Sequence, residues 1–86
     1  MRKVEDHTPL SFACSLTDGR IVTTVGEAAN FLAVLPEKDR ERPHWQTALR
    51  MLSHAINEPD YLPTATLSFR SALVLEGLAE PEFGRG

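Results

Sequence analysis

The chain is short of the features that mark specialised protein classes. It has a single cysteine, Cys14, among 86 residues, so no internal disulfide can staple it, whereas secreted domains this small usually carry several. A reducing, cytoplasmic setting is the expectation. No apolar run approaches the roughly 18 residues of a membrane span, and the opening Met-Arg-Lys-Val-Glu-Asp-His-Thr-Pro lacks the apolar stretch of an export signal. Positive charge is scarce as well: nine Lys and Arg against twelve Asp and Glu leave a net charge of -3. That sign is wrong for holding a phosphate backbone by charge. Glycine-rich loops are missing too, since Asp18-Gly19-Arg20 has one glycine and no following Lys-Ser or Lys-Thr.

What is present is an ordinary globular composition, 42% hydrophobic and 24% charged, with no internal repeat or low-complexity tract. The length suits one small domain. Residues 1–9 show no periodicity and are expected to form a flexible arm; 10–78 form the domain; 79–86, with Phe83 alone among polar residues, are expected to be a flexible tail.

Within the domain, Leu10, Phe12, Cys14 and Leu16 alternate with smaller or polar residues, the period of a strand with one buried face. Asp18-Gly19 then predicts a tight two-residue hairpin turn. That register sets Leu16 opposite Ile21 and Cys14 opposite Thr23, with Ile21 on the buried face and Val22 turned away. Thr24-Val25-Gly26-Glu27 matches a capping box and predicts a helix start, with Glu27 reaching back to the Thr24 amide. Pro36 stops this helix, and Glu37 to Arg42 reads as a solvated connector.

Pro43 suits the first turn of a second helix. Its apolar stripe is Trp45, Ala48, Leu49, Leu52, Ala55 and Ile56, with Arg50 and His54 turned away. Asp60 is the expected cap of a third helix over about 61–78, which tolerates Pro63 in its first turn. That helix carries two stripes: Leu62, Ala65, Phe69, Ala72 and Leu73, and nearly opposite them Leu67, Val74 and Leu78. One packing partner cannot cover both, so the helix is either sandwiched within the chain or meets a second copy. The expected fold is α+β, an N-terminal two-stranded antiparallel hairpin followed by three helices in one small core.

Candidate chemistry is sparse. His44 and His54 lie ten residues apart on one helix, nearly three turns from each other, and cannot share an ion; His7 lies in the arm, and all three are read as solvated. Cys14 is read as a small core residue with no neighbouring base, and Trp45 as core. Glu37, Asp39 and Glu41 are interleaved with Lys38, Arg40 and Arg42, a self-neutralised loop. Arg50 and Arg70 are read as solvated surface. No catalytic, metal-binding or cofactor-binding set is assigned, and no cofactor is expected.

The hairpin end Val22-Thr23-Thr24, the helix start Glu27-Ala28-Ala29-Asn30-Phe31-Leu32, the Leu35-Pro36 break, Ala48 with Ala55, and Ala65, Phe69, Ala72 and Glu76-Gly77-Leu78 together resemble the domain of unknown function 982 family. Those are small proteins of alpha-proteobacteria, and the likeness covers about residues 10–78. It implies a fold and a bacterial cytosolic setting, and no chemistry. The chain departs from the family pattern at Leu35, where Trp is expected, at Met51 or Leu52, where a small residue or Cys is expected, and at Thr66, where Arg is expected.

The leading expectation is a non-enzymatic protein-interaction module, a homodimer, with Leu67, Val74 and Leu78 as candidate interface. The alternative is a small-molecule binder with a pocket near Cys14, Trp45 and Phe69. A regulatory nucleic-acid binder is the weaker alternative, and no membrane partner is expected.

Overall fold

The computed structural model describes residues 4–79. The fold is α+β: strands β1 (Pro9–Ser15) and β2 (Ile21–Thr24) form an antiparallel hairpin, followed by helices α1 (Val25–Ala33), α2 (Glu37–Arg40), α3 (Pro43–Asn57) and α4 (Leu62–Leu75), with a 3-10 turn at Pro59–Tyr61 before α4. A single apolar cluster joins them, centred on Cys14, Leu32, Trp45, Leu52, Phe69 and Leu73. The largest packing interface is between α3 and α4.

The hairpin register differs by one residue from expectation. The Gly19 amide donates to Leu16 O at 3.1 Å and the Leu16 amide to Arg20 O at 2.8 Å, so the loop is Thr17-Asp18-Gly19, with Gly19 at φ +98° in the left-handed region. This is a three-residue loop with glycine at its last position. Asp18 is spent on accepting from the Arg20 amide instead of on a tight turn. Cys14 therefore faces Val22, and Ser15 faces Ile21. Because side chains alternate, the slip reverses β2: Val22 is buried and Ile21 is 56% exposed. A second irregularity sets residues 10–13 of β1 against Thr23 alone. It breaks the alternation, so Leu10 and Cys14 are buried while Phe12 turns outward, 5.9 Å from the Arg70 guanidinium.

The start of α1 satisfies its free amides one by one. Val25 donates to Thr8 O, Gly26 to Asp6 O and Glu27 to the Thr24 hydroxyl. The Glu27 carboxylate reaches back one residue further than expected, accepting from the Thr23 amide at 2.7 Å. Residues 4–9 thus carry more fixed structure than the expected flexible arm: Val4 is buried, and the Glu5 amide donates to the Thr8 hydroxyl. Gly26 is required by this approach, since a Cβ there would lie 2.8 Å from Asp6 O.

The charged run after Pro36 is one helical turn rather than a connector, its Asp39 and Arg40 amides both donating to Pro36 O. Pro43 opens α3 as expected, but Leu49 and Ile56 are exposed. Small Ala48 and Ala55 bring neighbouring elements close to the middle of the stripe and leave its flank uncovered. Asp60 does not cap α4: the 3-10 turn occupies that place, and Pro63 still falls in the first turn. Helix α4 ends at Gly77, φ +75°, with Leu78 N donating to Leu73 O and Gly77 N to Val74 O. This pair of bonds is a Schellman cap, in which the residue after glycine packs back onto the helix. Ala79 is buried; Phe83 and the rest of the expected tail lie outside the described residues.

Candidate functional site

Between Leu62 and Leu75 the only charged residue is Arg70. The outward face of α4 is correspondingly bare of charge: Leu67 is 55% and Leu75 68% exposed. The helix packs within the chain on α3 and on β1 and still leaves apolar side chains outside. Of the candidate interface residues, only Leu67 stands fully outward. Val74 is half-buried against the core, and so is Leu78, drawn in by the cap at Gly77.

A groove of about 300 Å³ runs between α3 and α4, lined by His44, Thr47, Leu67, Ser68, Ser71 and Ala72. At its end His44 Nε2 lies 2.7 Å from Glu76 Oε2, and Arg42 Nη1 donates to the same oxygen at 3.3 Å. His44 is therefore not a solvated histidine. It is half-buried, its ring 5.4 Å from that of Trp45, and with Glu76 it ties the first turn of α3 to the C-cap of α4. The two are 32 residues apart in the chain, and no local pattern signals the pair. Arg42, expected in a self-neutralised loop, bridges Asp39 and Glu76.

A second hollow, about 280 Å³, opens between β2 and α1, lined in part by Arg20, Ile21, Glu27, Asn30, Phe31 and Val34. Arg20 Nε donates to Asp18 Oδ2 at 2.8 Å, and its guanidinium lies 5.8 Å from the Phe31 ring centre. The backbone amide of Arg20 is the main cause holding the Asp18 carboxyl below its usual range, and the Thr23 amide does the same for Glu27. Both carboxylates are ionised at neutral pH.

The remaining candidates resolve into structure. Cys14 is fully buried, with Val22 rather than Thr23 across from it; burial pushes its thiol up, and the Arg70 charge pulls the other way. A thiol so placed is a poor nucleophile. Trp45 and Phe69 are closed in the core as well, their rings 5.8 and 5.6 Å from that of Phe31. The position expected for a ligand pocket near Cys14, Trp45 and Phe69 is thus filled core. Arg70 is half-buried over Phe12 instead of solvated. His54 stacks on Tyr61 at 5.3 Å, and His7 lies 3.7 Å from Glu5.

Among the described residues, no group of three or more His, Cys, Asp or Glu is placed to hold a metal ion. No described helix is long and apolar enough to cross a membrane. No family model matches the chain, and neither a curated protein nor a solved structure matches it.

Proposed function

We propose that the chain is a non-enzymatic protein-interaction module that associates with a second copy of itself through the outward face of α4. One observation carries this: a helix in which Arg70 is the only charge and which exposes Leu67 and Leu75. Solvated helix faces are normally charged, and a helix apolar on opposite sides belongs between two packing partners. A second copy suits this face because it offers a projection and a recess side by side. Leu67 projects beside a groove whose other walls include small Ser68, Ser71 and Ala72. In a two-fold dimer the same residue serves as the projection on one copy and borders the recess on the other. With this we keep the resemblance to the domain of unknown function 982 family, and a bacterial cytoplasmic setting, as parts of the same proposal.

Light scattering on a sizing column at two protein concentrations tests it. The expected mass is near twice 9.5 kDa, falling to one chain for Leu67→Glu with an unchanged circular dichroism spectrum. Leu67 is chosen over Val74 because its side chain is outside the core, so the substitution leaves the fold intact. A wild-type mass of one chain at both concentrations, or a Leu67→Glu protein that remains dimeric, overturns the proposal.

A further inference from the structure

The hollow between β2 and α1 holds two opposite charges that make no ion pair with each other. Arg20 stands on the strand side and Glu27 in the first turn of the helix, and each is held by its own neighbour. The Asp18 carboxylate takes Arg20 Nε, and the Phe31 ring supports the guanidinium from below. Its two terminal nitrogens have no hydrogen-bond acceptor among the described residues. On the other side the Thr23 amide and hydroxyl both donate to Glu27 Oε1, fixing the carboxylate. Apolar surface lies between and beside the charges: Phe31, Ile21 at 56% exposure and Val34 at 70%.

We propose that this hollow binds a free apolar amino acid as its zwitterion. The ligand carboxylate meets the terminal nitrogens of Arg20 in a forked contact, its ammonium meets Glu27, and its side chain covers Phe31, Ile21 and Val34. Three features favour this class. A preorientated guanidinium with a free fork suits a carboxylate better than any single-point anion. Opposite charges that do not pair with each other, Arg20 held by Asp18 and Glu27 by Thr23, match a ligand that carries both signs and leave a purely anionic one facing Glu27 and a purely cationic one facing Arg20. A volume of about 280 Å³ lies just under the range of drug-sized ligand pockets, roughly 300 to 1,000 Å³, and suits something as small as an amino acid. Because the site is open to water, the expected dissociation constant is on the order of 1 mM. The site lies on β2 and α1, so it stands or falls independently of self-association through α4.

The test is a titration of the isotope-labelled full chain with L-leucine, followed by two-dimensional amide NMR. Saturable shifts are expected at Ile21, Asn30 and Val34. N-acetyl-L-leucine removes the ammonium and L-leucinamide removes the carboxylate, and each is expected to bind at least tenfold more weakly. Arg20→Gln and Glu27→Gln are expected to weaken L-leucine binding by a similar factor, the glutamine at 27 retaining an acceptor for Thr23. No saturable shift with L-leucine, or equal shifts from both blocked forms, overturns the proposal. The blocked ligands decide the matter even where a variant fails to fold.

Discussion

The hydroxyl of Thr66 joins the last helix to the first strand: it accepts from the Ser11 amide at 3.1 Å while donating to Leu62 O at 2.8 Å. Thr66 is the one buried polar side chain among the described residues, and both of its bonds are made. The Ser11 amide lies in the irregular part of β1, where pairing with β2 is interrupted, so the helix supplies the acceptor that the sheet does not. Thr66→Val keeps the shape and strands that donor. Losing this part-buried hydrogen bond costs about 0.5 to 1.5 kcal/mol. The expected outcome is a lower urea midpoint with an unchanged denaturant slope.

Gly26→Ala tests whether the segment before β1 is part of the fold. The added Cβ would meet Asp6 O at 2.8 Å and Asp6 Cβ at 2.9 Å, neither of which can yield without moving backbone. Alanine otherwise favours a helix, by about 1 kcal/mol over glycine. A net loss of roughly 1 to 2 kcal/mol, with faster hydrogen exchange of the Val25 and Gly26 amides, is therefore expected. A gain in stability would show that residues 4–8 do not hold α1.

The His44–Glu76 pair is a long-range tie between two helices. Glu76→Gln and His44→Gln are each expected to destabilise the protein near neutral pH. The double variant should lose less than the sum of the single losses, with a coupling of about 0.5 to 1.5 kcal/mol. Additive losses in chemical denaturation would mean that the two side chains act independently.

Acid should weaken the hairpin and the α1 cap together. Asp18 and Glu27 lie below their ordinary values of 3.8 and 4.5 in the folded chain. A depressed carboxyl adds stability that is complete above its unfolded value and is lost as pH falls through its folded value. Stability is thus expected to decline below about pH 4.5, and the decline to be shallower in Glu27→Gln. Thermal unfolding followed across the acid range checks this.

Cys14 should behave as a closed core thiol. Burial raises it above the ordinary 9.0, so iodoacetamide at mildly alkaline pH is expected to label the unfolded chain readily and the native chain slowly. The native rate should follow the opening of the fold as urea is added. Rapid labelling without urea would contradict the burial described for this side chain.

Much of the architecture was legible in the order of residues because its causes are local. The Thr24–Glu27 cap, Pro43 and Pro63 in first turns and the α3 core positions Trp45, Ala48, Leu52 and Ala55 depend on neighbours within about one or two helical turns. The hairpin was legible, but its register was not. Asp18-Gly19 is compatible with a two-residue and a three-residue loop, and the burial of Val22 rather than Ile21 follows from which one the core accepts.

The sequence by itself determined the α+β class, the order of the hairpin and the three longer helices, and the absence of charge along α4 apart from Arg70, since each is a property of consecutive or regularly spaced residues. Only the tertiary structure decided that Phe12 faces Arg70, that His44 meets Glu76, that Thr66 completes Ser11, and that Arg20 and Glu27 share a hollow without pairing. The physical reason is range. Backbone periodicity and capping act along the chain, whereas these contacts, most of them between residues distant in the chain, exist only once packing has chosen one register and one approach of α4 to β1.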